Sequence, residues 1–402
     1  MNFLIDTDEK KIDEILNRGT IVEVLPDITF FRKRLISGKR MSFYIGFDAT
    51  APTLHLSHAK NLILLEKFRK LGHEVIVLFG DFTAMIGDPS DRNSKRSQLT
   101  REDVLGNFKA WRKLIKPLMD FESEINPPQI KFNSEWLAKF SFQDVLELAS
   151  NLTVNQLLER NMFKKRMLDD KPIFLNEFLY PMLQGYDSVA MNIDVELCGT
   201  DQIFNALVGR NLQKKFNNKE KFVVAVTLME DPITGELMSK SNGTGVFLDA
   251  PASDMYGQIM AQTDQMVPIL FLNNTTLKIN EINEIIESEN PRDSKMKLAS
   301  EIVSIFYGKD AAEEAQTSFV SIIQKKLAPK EVPILTVEKG IDLQNIIKLG
   351  KRISGSEASR LISQGAVSVD GQKYLDAKMI LEIPKEGLLF KVGKRSWFKI
   401  IL

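Results

Sequence analysis

Residues 7–18, Thr-Asp-Glu-Lys-Lys-Ile-Asp-Glu-Ile-Leu-Asn-Arg, place apolar side chains three and four positions apart behind an acidic cap. That spacing predicts a helix, ended by Gly19. A second helix is predicted from Asp27 to Ile36, stopping near Gly38. Met41–Phe47 then turns aromatic and β-branched, the pattern of a strand. A turn over 48–53 leads into an amphipathic helix from Leu54 to Leu71, closed by Gly72. His73–Phe79 is apolar almost without alternation, as in a strand buried on both faces. Strand, helix, strand at this spacing is a βαβ unit, which implies a parallel sheet and a right-handed crossover. The rhythm continues with a helix over 101–119, a strand near Ile130–Phe132 and helices over 143–150, 153–166 and 174–190. Strand Ile193–Cys198, helix 201–215 and strand Phe222–Leu228 follow, the last completing the sheet. The predicted class is α/β, a doubly wound Rossmann-like parallel sheet. Such sheets bind ligands at the carboxyl ends of the strands, where the strand order reverses.

Beyond the sheet the pattern changes three times. Residues 231–250 are polar and glycine-containing, a mobile loop around Met238-Ser-Lys-Ser241. Residues 251–326 are helical in period, with breaks expected at Pro268, Asn273–Asn274 and Pro291. Residues 327–340, with two prolines, read as a linker. Residues 341–402 form a small α+β module: helices over 342–349 and 355–363, strand Ala366–Val369, an Asp370-Gly371 turn and further strands ending in Trp397–Leu402. The expected domains are thus 1–230, 231–250, 251–326, 327–340 and 341–402.

Composition narrows the classes. Lys and Arg total 53, and so do Asp and Glu, so any basic surface must be local. Residues 341–402 carry such an excess, eleven Lys or Arg against six Asp or Glu. A single cysteine, Cys198, excludes an intramolecular disulfide and a cysteine-rich zinc site, and fits a reducing cytoplasm. No apolar run approaches the roughly 20 residues of a membrane span, and the first ten residues do not resemble a secretory leader. A cytoplasmic location without membrane contact is expected.

Two short patterns carry candidate chemistry. His55-Leu-Ser-His58 falls at the start of the first crossover helix, where free N–H groups and the helix dipole attract anions. Gly46, just before, lets a ligand approach the strand. Taken alone, the pair is equally open to being a plain helix start; a metal site lacks ligands, since two histidines do not fill a coordination shell. Leu237-Met-Ser-Lys-Ser241 is the second pattern. Alone it reads as a solvated loop; beside H-x-x-H it reads as a lid that brings Lys240 to a triphosphate in the transition state.

Together these patterns resemble the H-I-G-H and K-M-S-K-S sequences of class I aminoacyl-tRNA synthetases. The finer resemblance is to the bacterial-type tyrosyl-tRNA synthetases, and it spans nearly the whole chain. It rests on Tyr44-x-Gly-Phe-Asp48-x-Thr50, Gly87-Asp88-Pro-Ser, Tyr180-x-x-x-Gln184-x-x-Asp187 and Gly199-x-Asp201-Gln202, in that order, and on an S-four-type RNA-binding module at 341–402. The resemblance implies a two-step reaction. L-tyrosine attacks ATP, with Mg2+, to give tyrosyl-adenylate and pyrophosphate; the tyrosyl group then passes to the 3′ end of tRNA(Tyr). It implies that Tyr44 and Asp187 bond the substrate phenol, and that Asp88, Tyr180 and Gln184 hold its α-ammonium. Gly46, Asp48, Gly199, Asp201, Gln202, Met238 and Ser239 would line ATP and the adenylate. Thr50, His55 and His58 would meet the nucleotide, and Lys240, Arg92 and Arg96 would clamp pyrophosphate. Lys351, Arg352 and Arg360 would meet RNA. It further implies an anticodon-binding role for 251–326, a homodimer, and a dimer contact from an insertion around 115–180.

Two letters depart from the family's pattern. Ser57 replaces the Gly of H-I-G-H, and Leu237 replaces the first Lys of K-M-S-K-S, which removes one pyrophosphate contact. Three rival readings remain at this point. A small-molecule adenylyltransferase would not need the helical and basic C-terminal segments. A tryptophan enzyme would not need both Tyr44 and Asp187. A non-catalytic RNA-binding paralogue would not need His55, His58, Asp201 and Lys240.

Overall fold

A computed structural model of the chain describes residues 4–89, 99–238, 244–288, 290–321, 332–384, 386–393 and 396–402. The chain divides into two compact units, Met1–Lys309 and Asp310–Leu402.

The larger unit is built on strands β1 (Ile21–Leu25), β2 (Ser42–Phe47), β3 (Glu74–Phe79), β4 (Gln129–Phe132), β5 (Val195–Gly199) and β6 (Phe222–Val226). Their order in the sheet is β1-β6-β5-β2-β3-β4. From β2 the chain steps outward to β3 and β4, then returns to the other side of β2 for β5 and β6. The order therefore reverses between β2 and β5, and Gly46 and Gly199 lie at their carboxyl ends. That is the crevice such sheets use for ligands. All pairings from β6 across to β4 are parallel.

One edge departs from the purely parallel sheet expected. β6 does not end it; β1 adds on antiparallel, with Val24 opposite Val224 and Leu25 opposite Val223. Ile-Val-Glu-Val-Leu is short, exposed along its middle and stopped by Pro26, so neither alternation nor a continuous apolar run marks it. Helix Leu56–Lys70 covers β2 and β3 through buried rings: Phe43 and Phe68 stack at 4.4 Å, and Phe31 closes on both. Burial of each such ring contributes roughly 1.5–3 kcal/mol over leaving it exposed.

Several expected helices are shorter or divided, each for a local reason. The helix expected over 101–119 runs Arg101–Ile115, opened by a reciprocal Thr100/Asp103 cap and followed by a 3-10 turn at Pro117. That expected over 153–166 is two helices, Val154–Leu158 and Asn161–Leu168, parted where Arg160 turns extended. The last of the three is a 3-10 turn, Leu175–Phe178, and then Tyr180–Ala190 with Pro181 in its first turn.

Helices Ala252–Met260, Met266–Asn274, Ile279–Ser288 and Pro291–Tyr307 belong to the same compact unit as the sheet. Arg18, 2% exposed, accounts for part of this. Its guanidinium donates to the carbonyls of Leu272 at 2.6 Å, Leu277 at 2.7 Å and Thr275 at 2.9 Å, sealing a helix end. The breaks expected at Asn273–Asn274 and Pro291 fall where one helix ends and another begins. Pro268 breaks nothing: it sits in the first turn of Met266–Asn274, where no N–H is missed.

In the smaller unit, helices Leu343–Lys351 and Gly355–Ser363 pack on strands β7 (Ile334–Thr336), β8 (Val367–Val369), β9 (Gln372–Lys373), β10 (Leu388–Val392) and β11 (Ser396–Ile401). The order is β7-β11-β10-β8-β9. Asp370 and Gly371 both take positive φ, 46° and 85°, and close the β8–β9 hairpin as a two-residue turn should. β7 lies inside the stretch expected to be linker. It pairs parallel to β11, and Lys399 N donates to Pro333 O at 2.8 Å. Among the described residues no helix is long and apolar enough to cross a membrane.

Candidate active site

β2 carries Tyr44 into the core and an exposed Gly46 next to its end, with a half-buried Asp48 in the turn beyond. Asp48 is held on both oxygens: Tyr180 donates its phenol hydrogen to Oδ2 at 2.8 Å, and Thr83 donates to Oδ1 at 2.7 Å. Asp88, at the end of the turn after β3, accepts from Gln202 Nε2 at 2.6 Å. The same Nε2 lies 3.2 Å from Asp201 Oδ2. Asn205, fully buried one turn along, donates to Gln202 Oε1 and Gln184 Oε1, both at 2.8 Å. So Asp48, Asp88, Tyr180, Gln184, Asp201 and Gln202, from four separate segments, meet at the crevice between β2 and β5.

Deeper lies Asp187, 3% exposed, on helix Tyr180–Ala190. Trp136 Nε1 donates to Oδ1 at 2.8 Å and Asn133 Nδ2 to Oδ2 at 3.3 Å. Burial pushes its carboxyl well above the usual carboxylate range, against those two donors. Tyr44, 1% exposed, is pushed up too, first by burial, then by the charges of Glu196 and Asp187. Its oxygen is 3.0 Å from Ser188 Oγ. Tyr44 packs in an apolar cluster with Ile76, Leu78 and Ile193, and Trp136, which donates to Asp187, packs against the same cluster.

His55 caps helix Leu56–Lys70, and His58 Nδ1 accepts from the His55 N–H at 3.4 Å. The rings stand edge to face, 4.2 Å between centroids. Burial pushes His55 down to about 4, and His58 well below its usual value, with His55 and Lys60 adding to it. Both are therefore neutral at pH 7, able to donate a hydrogen bond but not to pair as cations. Thr50 lies in the turn before them, its N–H donating to Asp48 O at 2.8 Å.

The second pattern reaches this place through its flanks. Met238 N donates to Met229 O at 2.7 Å, and Thr244 Oγ1 to Leu237 O at 3.2 Å, so the loop's two ends are pinned together. The Met238 side chain is buried. After the loop, Leu56 N donates to Val246 O at 3.1 Å and Leu248 N to Leu54 O at 2.9 Å, while His55 bridges Phe247. Ser239 and Lys240, with Arg92 and Arg96, lie outside the described residues. Gly199 lies close to the Asp201 carboxylate and 3.2 Å, by its missing Cβ, from Leu228, so a side chain there would crowd the turn.

In the smaller unit Lys351, Arg352 and Arg360 are exposed. Arg352 takes a left-handed φ of 53° in ending its helix, and Arg360 lies 4.0 Å from Glu357.

Sequence reasoning passed over several contributors. Asn133, Trp136 and Asn205 orient the groups named above. Lys60, 2% exposed, lies beneath Asp201's charge. Arg160 faces Asp88, Tyr180 and Asp201, its guanidinium 4.7 Å from the Phe204 ring centroid. Glu196 and Lys221 carry a signal that was there to read: charged letters in and beside runs that are otherwise buried strand.

Comparison with known proteins follows this geometry. Residues 37–324 match the model of class I tRNA synthetases for W and Y, and 343–386 match the S4 domain. The chain is 40% identical to a tyrosine–tRNA ligase of Carboxydothermus hydrogenoformans, over 96% of this chain and 97% of that one. It is 39% identical to the tyrosine–tRNA ligase of Thermotoga maritima, over 98% of each. Among solved structures, a C-terminally truncated mitochondrial tyrosyl-tRNA synthetase of Aspergillus nidulans is similar in fold, with a TM-score of 0.67 at 23% identity, covering 78% of this chain and 94% of that one. The tyrosyl-tRNA synthetase of Archaeoglobus fulgidus complexed with L-tyrosine gives a TM-score of 0.58 at 16% identity, covering 76% and 99%.

Proposed function

The chain belongs to the bacterial tyrosine–tRNA ligases of the class I tRNA synthetase family, and from that premise we propose how its residues divide the reaction. Tyrosine enters the cavity with its phenol between Tyr44 and Asp187. Its ammonium faces Asp88, Tyr180 and Gln184, each held in place by a neighbour. ATP lies across Gly46 and Gly199 with its ribose toward Asp201, beside Asp48, Gln202, Met238 and Ser239. Its phosphates lie toward Thr50, His55 and His58. Mg2+ comes with the nucleotide, for which substrate phosphates and one or two carboxylates suffice.

The tyrosine carboxylate attacks the α-phosphate, and pyrophosphate leaves. No protein nucleophile takes part. Placement of the two reactants contributes much of the acceleration. Donors aimed at the developing charge contribute the rest, with Lys240, Arg92 and Arg96 neutralising the leaving group. The tyrosyl ester then forms on the terminal ribose of tRNA(Tyr).

The observation that carries the substrate choice is the buried pair Tyr44 and Asp187. Each is held by buried protein partners, and an apolar ring without a hydroxyl would offer neither group a hydrogen bond in return for its burial. Exchange of pyrophosphate into ATP that depends on tyrosine tests it, with Asp187→Ala expected to lose tyrosine and keep ATP binding. Exchange supported by tryptophan instead would overturn the assignment.

Partner roles follow the same reading. Lys351, Arg352 and Arg360 present positive charge to tRNA backbone. Residues 251–326 serve the anticodon. The insertion around 115–180 exposes Phe142 at 77%, Leu146 at 56%, Phe174 at 63% and Leu175 at 79%. Apolar exposure on that scale favours a homodimer contact there. The enzyme acts in the cytoplasm.

A further inference from the structure

Behind the substrate cavity runs a chain of polar groups that the reaction does not touch. Lys221, just before β6, is 1% exposed, and Glu196 of β5 is 2% exposed. The Lys221 amine bonds Glu196 Oε2 and donates to Ser188 Oγ at 2.8 Å. Ser188, fully buried on helix Tyr180–Ala190, lies 3.0 Å from the Tyr44 oxygen and 3.4 Å from Glu196 Oε2. Tyr44 and Glu196 are register partners on adjacent parallel strands, so their side chains share a face of the sheet. Gly209 keeps the space open: a Cβ there would stand 2.7 Å from Lys221 Nζ and 3.1 Å from Ser188 Oγ.

A buried ion pair of this kind is a poor way to gain stability, since apolar residues of equal volume commonly do as well or better. Its directionality is more informative. A lysine ammonium only donates. With Lys221 filling one acceptor site on Ser188, the serine has a single hydrogen to give. Ser188 shares it between Glu196 Oε2, at 3.4 Å, and the Tyr44 oxygen, at 3.0 Å, and Glu196 also bonds the Tyr44 phenol. The phenol oxygen of Tyr44 is thus tied from behind by two buried groups.

We propose that Lys221, Glu196 and Ser188 are positioning residues that hold the Tyr44 phenol in place at the substrate hydroxyl, and so set the preference for tyrosine over phenylalanine. The inference rests on the placement of the substrate phenol between Tyr44 and Asp187. Without Ser188, the Tyr44 phenol keeps only its bond to Glu196, and its place at the substrate hydroxyl is no longer fixed from two sides. Glu196 keeps the Lys221 charge satisfied, which holds the amine at Ser188.

The test compares tyrosine and phenylalanine in pyrophosphate exchange. Ser188→Ala is expected to lower kcat/KM for tyrosine about tenfold, the worth of one hydrogen bond. KM for ATP and kcat/KM for phenylalanine should stay within twofold. Ser188→Thr, which restores a hydroxyl, should recover most of the loss. Glu196→Leu combined with Lys221→Met removes the charges at similar volume, and should show the same selective loss in an enzyme that still folds. Equal losses for both amino acids, or an unchanged ratio in a folded variant, would overturn the proposal. A wild-type enzyme that failed to use tyrosine at all would instead remove the reading beneath it.

Discussion

His55 and Phe247 pair across an antiparallel bridge, 192 positions apart in the chain, so the turn that opens the first crossover helix shares backbone bonds with the residues just after the Met-Ser-Lys-Ser loop. A second tie lies beside it, from Thr53 Oγ1 to Asp249 Oδ1. The residues just after the loop are thereby anchored to the turn that opens helix Leu56–Lys70. Asp249 is exposed, so removing its carboxylate costs little stability. Asp249→Ala is expected to lower kcat for pyrophosphate exchange several-fold, by loosening the loop that carries Lys240. KM for tyrosine should stay within twofold, because the tyrosine cavity lies deeper. A matching rise in that KM would show the tie to be general scaffolding.

Tyr180 and Asp48 offer a sharper case. The phenol donates to a carboxylate that Thr83 also serves, and burial pushes Tyr180 well up, so it donates at every working pH. Tyr180→Phe deletes one charge-assisted bond at nearly constant volume. A loss of about 1.5–3 kcal/mol is expected, or roughly ten- to a hundredfold in kcat/KM for tyrosine. Steady-state exchange at saturating ATP measures it. A fall in Tm without a kinetic change would make the contact purely structural.

How much of this was legible in the chain depends on the range of the interaction. Gly46, Asp48, His55 and His58 were readable because they follow one strand and open one helix, and local spacing alone places them. The Met-Ser-Lys-Ser loop was readable as a pattern. Its tie to His55 was not, because a bridge between His55 and Phe247 leaves no trace in either local sequence. Asn133 and Trp136 escaped for the same reason: they reach Asp187 from a turn after β4, and tertiary packing brings them there. β1 and β7 escaped because each is a short edge strand defined by its partner, not by its own pattern. Pro268 misled because proline in a first turn leaves its helix unbroken, whereas Pro291 opens a helix and so marks the boundary expected there.

On the smaller unit, Lys351 and Arg360 stand exposed on separate helices, and Arg360 pairs at 4.0 Å with Glu357 at the surface. Such a pair is weak, so both cations are free to meet phosphate. Arg352 is a poorer probe: its left-handed φ of 53° would add backbone strain to any loss of charge. Lys351→Ala with Arg360→Ala is expected to weaken tRNA binding and to lower the slope of log affinity against log salt by about 2. Tyrosine-dependent exchange without tRNA should be unchanged. Filter binding across a salt series reads the slope, and a parallel shift with no change of slope would place the RNA contact elsewhere.

Lys60 gives a prediction in pH. It sits 2% exposed on the helix that follows His55, its Nζ donating to Asn61 Oδ1 at 2.7 Å. Burial pushes the amine down to about 7, with the Asp201 charge opposing, and His58 feels its charge from the same helix. The unfolded chain holds that proton up to its usual 10.5. Between about 7 and 10.5 the unfolded state therefore binds a proton the folded state lacks, and stability climbs as pH rises. Below about 7 both states are charged, and the full penalty is present and flat. A shift of this size corresponds to about 4–5 kcal/mol. Lys60→Met keeps the length and removes the charge, so it should raise Tm at pH 7 and lose its advantage progressively toward pH 10. Lys67, pushed down to about 8, titrates in the same window, but it does so in both proteins and cancels in the difference. Thermal unfolding of the two at pH 7, 8.5 and 10 decides it. A Tm gap that stays constant across the series would mean Lys60 keeps its ordinary proton in the folded protein, held by Asp201 against the burial.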